Sequence, residues 1–124
     1  MDSEFRELTP RKKGLVEKLL DAAIHSPGEL RTQLKHVKAK QVIEDGTLKL
    51  QCDGGIPASG KYAPVAEGVS KDADGRDIAV ILHLGRDGFM TMLEIIKYDG
   101  SPIITPPRAQ DIALLMPESP GEQL

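Results

Sequence analysis

Two aspartates one residue apart, Asp72 and Asp74, open the stretch "DADGRDIAVILHLGRDGFMTMLEIIKYDG", residues 72–100. Alternating carboxylates are what a calcium loop needs, together with a bidentate carboxylate at its twelfth position. Counted from Asp72, that position is His83, and Gly75 and Asp77 also fall out of step. The stretch holds three Asp-Gly pairs between apolar runs. Asp-Gly supplies the positive φ angle that tight hairpins require. The aspartates are therefore read as corners of a sheet, and no metal site is expected.

Nucleophilic chemistry has one thiol, Cys52, and three histidines, His25, His36 and His83, to draw on. Cys52 shares the apolar face of a strand with Leu48 and Leu50, where a thiol behaves as a small hydrophobe. No helix N-terminus is predicted beside it to favour a thiolate. The histidines lack the paired spacing of a zinc site, and no phosphate-binding glycine motif is present. "GRDG", Gly85 to Gly88, lies between two strands and reads as a hairpin turn rather than a phosphate nest. No catalytic residue and no cofactor is assigned.

The elements that carry these residues follow from periodicity. Thr9 caps a helix that starts with Pro10, runs to about His25 and turns Leu15, Val16, Leu19, Leu20 and Ala23 inward. "SPGE" is a capping box, Ser26 to Glu29, for a second helix with Leu30 and Leu34 as its stripe. From Val37 the period falls to two. Strands are expected at Val37–Ile43, at "TLKLQC", at Val65–Ser70 (weak, and suited to an edge or a bulge because of Pro64 and Gly68), at Asp77–Leu84 and at Phe89–Tyr98. The expected fold is α+β, with two N-terminal helices on one face of a five-stranded antiparallel meander sheet. Residues 1–107 form the domain, and 108–124 form an arm and a partly disordered tail.

The last two strands carry the main functional signal. With Arg86-Asp87 as a two-residue loop, Leu84 pairs with Phe89 and His83 with Met90. One face is then aliphatic and receives the helices. The other gathers His83, Met90, Met92, Glu94, Ile96 and Tyr98 with Ala79 and Ile81, too apolar for free solvation. Three covers compete for it. The segment Ile112–Met116 folds back over it; a partner protein or second subunit packs on it; or it lines a ligand pocket in which His83, Glu94 and Tyr98 converge.

Composition narrows the classes. The 124 residues include no Trp, two Phe and two Tyr, too few for the stacking platforms of single-stranded nucleic-acid binders. Net charge is −3, with eight basic and three acidic residues between Arg11 and Lys40, and six basic and eleven acidic from Gln51 onward. The basic block reads as solvated helix faces, with nucleic-acid binding as the alternative. One cysteine excludes an internal disulfide framework. No apolar run reaches membrane-spanning length, and "MDSEFRELTPRKKG" contains no signal-peptide core. These features point to a cytoplasmic protein.

Taken together, "RELTPRKKGLVEKLLDA", "IEDGTLKL" and "ILHLGRDGFMTMLEIIKYDGSPI" resemble a family of small uncharacterised bacterial proteins, a domain of unknown function. In that family a helix precedes strands that end in a pattern like Leu93–Ile103 here, and the resemblance covers about residues 5 to 107. It implies a small α+β domain and transfers no catalytic residue. A broader likeness, in size and charge alone, is to bacterial toxin immunity proteins. The resulting expectation is a non-enzymatic interaction module, immunity-like or regulatory, with a protein partner or a second copy of itself. A small-molecule or enzymatic pocket is the alternative.

Overall fold

The structure, a computed structural model, describes residues 4–23, 27–58 and 65–115. Thr9 caps α1 (Pro10–Leu20), its hydroxyl accepting from the Lys12 N–H at 3.3 Å. Leu15, Val16, Leu19 and Leu20 are buried, as their spacing requires. The helix stops at Leu20 and not near His25, because Asp21, Ala22 and Ala23 each donate to the carbonyl three residues back. That tightens the chain into a turn. Helix α2 (Pro27–Leu34) buries Leu30 and Leu34, and also Gln33. His25 and the capping residue Ser26 lie outside the described residues.

The sheet has seven antiparallel strands, not five. They are β1 (Arg6–Glu7), β2 (Val37–Gln41), β3 (Leu48–Cys52), β4 (Ala66–Lys71), β5 (Asp77–Leu84), β6 (Met90–Lys97) and β7 (Ala113–Leu115), in the order β1-β2-β3-β6-β5-β4-β7. It is also not a simple meander. β4, β5 and β6 form successive hairpins, but β3 pairs with β6, so the chain leaving β3 passes two strands before it returns. Where the β3–β6 ladder is short, Thr47 extends it: its hydroxyl accepts from Ile95 N–H at 2.9 Å and donates to Ile95 C=O at 3.2 Å.

Four Asp-Gly pairs make the same turn. At Gly46, Gly75, Gly88 and Gly100 the glycine has φ between 76° and 102° and donates to the carbonyl three residues back. Asp45, Asp74, Asp87 and Asp99 each accept from the N–H two residues ahead, at 2.9 to 3.1 Å. The aspartate thus holds the bend that only glycine enters without strain.

In the β5–β6 hairpin this turn lengthens the loop. Gly85 N–H donates to Phe89 C=O, so Leu84 faces Met90 and not Phe89. A second irregularity, between His83 and Leu84, leaves Thr91 without an opposite residue, so His83 faces Met92. Each one-residue slip reverses the faces. Together they restore them, and Leu93 and Ile95 still point inward. Met90, caught between the two slips, turns into the core at 1 % exposure.

The core lies between the helices and one face of the sheet. Leu15, Leu19, Leu30, Leu48, Ile78, Val80, Leu82 and Leu93 fill it. β4 is an interior strand and not an edge, because Gly68 leaves room for Ile112 to cross it: a Cβ at Gly68 would overlap the Ile112 side chain. Beyond residue 107 the chain makes a short 3-10 turn, Ala109–Asp111, and then adds β7 alongside β4. Arg11 ties this segment to α1 by donating to Pro107 C=O at 2.9 Å. Through Leu115, then, the C-terminal segment extends the sheet and does not fold back over its second face.

Candidate functional site

Strand alternation sends one set of side chains away from both helices. Lys38, Lys40 and Lys49 come from β2 and β3; Met92, Glu94 and Ile96 from β6; Ala79, Ile81 and His83 from β5; Glu67 and Val69 from β4; Ala113 and Leu115 from β7. No described element covers this outer face. Ile96 is 38 % and Leu115 47 % exposed, and Ile81, Val69 and Met92 are half-buried.

His83 and Glu94 do meet: His83 Nε2 lies 2.9 Å from Glu94 Oε1, with both side chains about a third exposed. The contact is diagonal, since His83 sits opposite Met92 and Glu94 opposite Ile81. The other expected members do not converge on it. Met90 faces the core. Tyr98 lies past the end of β6, 62 % exposed, its N–H bonded to Asp77 C=O. Four residues of strand set it roughly 13 Å from Glu94. Ile96 and Met92 share the face as expected, so the arrangement is a surface and not a pocket.

The surface carries both signs of charge. Lys40 and Lys49 are directly opposite each other on β2 and β3. Neither has an ion pair among the described residues, and Lys40 sits 5.1 Å from the centre of the Phe5 ring. Glu67 and Glu94 flank Ile81 from either side, on β4 and β6. Glu67 likewise has no ion pair among the described residues. Lys40 and Lys49 therefore lie on one side of Met92, with Glu94 and Glu67 around Ile81, while Glu7 stands opposite Lys38 and Lys71 pairs with Asp77 at 2.7 Å. Alternation alone puts the lysines outward, but their place beside Met92 depends on the β3–β6 pairing, which no local pattern signals.

Asp72 and Asp74 hold a cation after all, the ammonium of Lys97. Lys97 Nζ donates to Asp72 at 2.8 Å, to Asp74 at 2.7 Å and to Pro102 C=O at 3.2 Å. Asp72 also accepts from the N–H groups of Ala73, Ile104 and Thr105. Burial pushes the Asp72 carboxyl up, but Lys97 and these three donors outweigh it and hold the group well below the usual carboxylate range. Lys97 lowers Asp74 too, and both aspartates raise Lys97. The cluster pins the segment after β6 to the β4–β5 turn. Among the described residues no group of three or more His, Cys, Asp or Glu side chains is placed to hold a metal.

Cys52 is half-buried beside Gln33 Oε1 at 3.8 Å, and burial pushes its thiol up, away from the reactive thiolate. The basic residues of the helices border a groove of about 450 Å³ with Lys13, Lys35, His36 and Lys38 along it. Glu7 and Asp53 line the same groove, and Asp53 lies 3.9 Å from Lys38. That mixture does not make the continuous basic track that a phosphate backbone calls for. Among the described residues no helix is long and apolar enough to cross a membrane.

The family model described as a domain of unknown function (DUF6984) matches residues 5–107. No curated protein and no solved structure matches the chain.

Proposed function

Starting from a chain that belongs to the DUF6984 family, we propose that it is a non-enzymatic protein-recognition module whose docking surface is the outer face of the sheet. One observation carries the reading: both helices pack on the same face, leaving Ile81, Met92, Ile96, Val69 and Leu115 together on the other. Apolar side chains interleaved with charged ones on an uncovered sheet face are the mixture a protein contact uses. The non-enzymatic part rests on the spacing of the polar groups. His83 and Glu94 pair with each other, Tyr98 stands apart, and the Cys52 thiol is turned toward Gln33 on the other side of the sheet. A lone half-buried cysteine suits the cytoplasm.

The test is a double variant, Ile96→Lys with Leu115→Lys. Both positions are already partly solvated, so circular dichroism and the melting temperature should stay close to the parent's. Association should be lost, whether with itself by sedimentation or with a protein from the native host by affinity capture. A variant that associates as the parent does would end the reading, as would a parent that associates with nothing.

A further inference from the structure

Asp-Gly pairs begin at Asp45, Asp53, Asp74, Asp87 and Asp99. Such a pair is open to one intramolecular reaction, because glycine puts no side chain in the way of its own nitrogen. The glycine nitrogen bonds to the side-chain carboxyl carbon of the aspartate, and the carboxyl OH leaves with the amide proton as water. Water then opens the cyclic imide at either carbonyl. One opening restores aspartate. The other gives isoaspartate, in which the main chain runs through the side-chain carbon and the α-carboxyl is free. Nothing is oxidised or reduced. We propose that Asp53-Gly54 is the site of this modification in the folded chain, and that the other four pairs are protected by their turns.

In those four turns the glycine N–H is already donated to a carbonyl, and the carboxylate is held by the N–H two residues ahead. Both bonds must break before the nitrogen and the carboxyl carbon can meet. At Asp53 neither bond exists. Among the described residues nothing accepts from the Gly54 N–H, and nothing donates a hydrogen bond to the Asp53 carboxylate. The positive φ has passed to the next residue, Gly55 at 97°, so the pair lacks the turn that the others share. The Asp53 side chain is 52 % exposed, and Lys38 Nζ, its ion-pair partner, stands 3.9 Å away, beyond hydrogen-bond reach. The chain is anchored on either side of the pair. Asp53 N–H donates to His36 C=O at 3.0 Å, and Ile56 C=O accepts from Gln33 at 2.9 Å. The carbon that isoaspartate adds to the backbone falls between these two bonds, so the modification works against the support of the buried Gln33.

Asparagine reports the same ring closure faster, because ammonia leaves in place of water and each event changes the mass. The test compares Asp53→Asn with Asp87→Asn in the full folded chain at neutral pH, followed by intact mass spectrometry. Both variants contain the same reactive dipeptide, and the second keeps the side-chain oxygen that accepts from Phe89 N–H. Asp53→Asn should deamidate at least about tenfold faster than Asp87→Asn, the two rates converging in urea. Equal rates in the folded chain, or a gap that persists in urea, would overturn the proposal. The parent, aged in water labelled with heavy oxygen, covers the case in which a variant misfolds. The five pairs fall in five separate tryptic peptides. Label should enter the peptide of Asp53 well ahead of the other four. Label spread evenly among them, or absent from Asp53, would overturn the proposal as well.

Discussion

Lys97 places its ammonium 2.8 Å from Asp72, and both side chains are almost entirely out of solvent. Removing one member of such a pair leaves the other charge buried without its counter-ion. Lys97→Met should therefore lower the melting temperature by on the order of 10 °C in differential scanning calorimetry. Arg31→Ala, which breaks an exposed pair with Asp21, should move it by less than about 2 °C.

Acid should act on the same cluster. Asp72, Asp74 and Asp99 all titrate lower in the folded chain than in the unfolded one. For Asp99 the Ser101 hydroxyl and N–H lead, followed by Arg76, whose guanidinium pairs with it. A depressed carboxyl contributes fully above its unfolded value of about 3.9, and the contribution is lost as pH falls through the folded value. Urea unfolding should show a plateau near neutrality and a decline that steepens below about pH 4, shallower in Asp72→Asn. Lys97 is raised, so its contribution is complete below about pH 10.4 and is lost only in stronger alkali.

Gly68 should be the position on which β7 depends. Gly68→Val would drive a side chain into Ile112 and destabilise the fold by about 1–3 kcal/mol. Hydrogen exchange should localise the damage: Ala113–Leu115 amides should lose protection while those of β5 and β6 keep most of theirs. Equal loss throughout the sheet would contradict this.

Gln33 is fully buried and makes four bonds. Its amide donates to Ile56 C=O and Gly88 C=O, and its oxygen accepts from Met90 N–H and faces Cys52 Sγ. Gln33→Leu keeps the bulk but strands the Met90 N–H and takes the side-chain donor from the Ile56 C=O, while the Gly88 C=O keeps the Ala58 N–H, a loss of about 1–3 kcal/mol in chemical denaturation. Gln33→Glu should not rescue it, since a carboxylate cannot donate to two carbonyls.

Helix α1 and strand β5 could be read from local pattern because each depends on its own residues: a Thr-Pro start, a helical stripe, an unbroken alternation from Asp77 to Leu84. The strand count failed where elements exist only through distant partners. β1 has two residues and β7 three, and neither would hold without β2 and β4. Met90 was misplaced because a four-residue turn and an unpaired Thr91 shift the register by two, and parity hides such a double slip everywhere except between the two faults. The Asp-Gly turns were correctly inferred, yet the ammonium on Asp72 was not, since it comes from a lysine 25 residues on. On the outer face, His83, Met92, Glu94 and Ile96 follow from alternation, whereas the lysine row beside Met92 depends on the β3–β6 pairing.

The position of β6 bears on how the chain is made. It is the central strand of the sheet yet nearly the last to be synthesised, and β3 has no inner neighbour until it arrives. Chains generally begin to fold from the N-terminus while still on the ribosome. Here α1, α2 and the β2–β3 hairpin emerge first and must wait with their apolar sides open until residue 97 is clear of the exit tunnel. Assembly then depends on long-range pairing, which is slow. The first half of this protein is a structure whose keystone is delivered late.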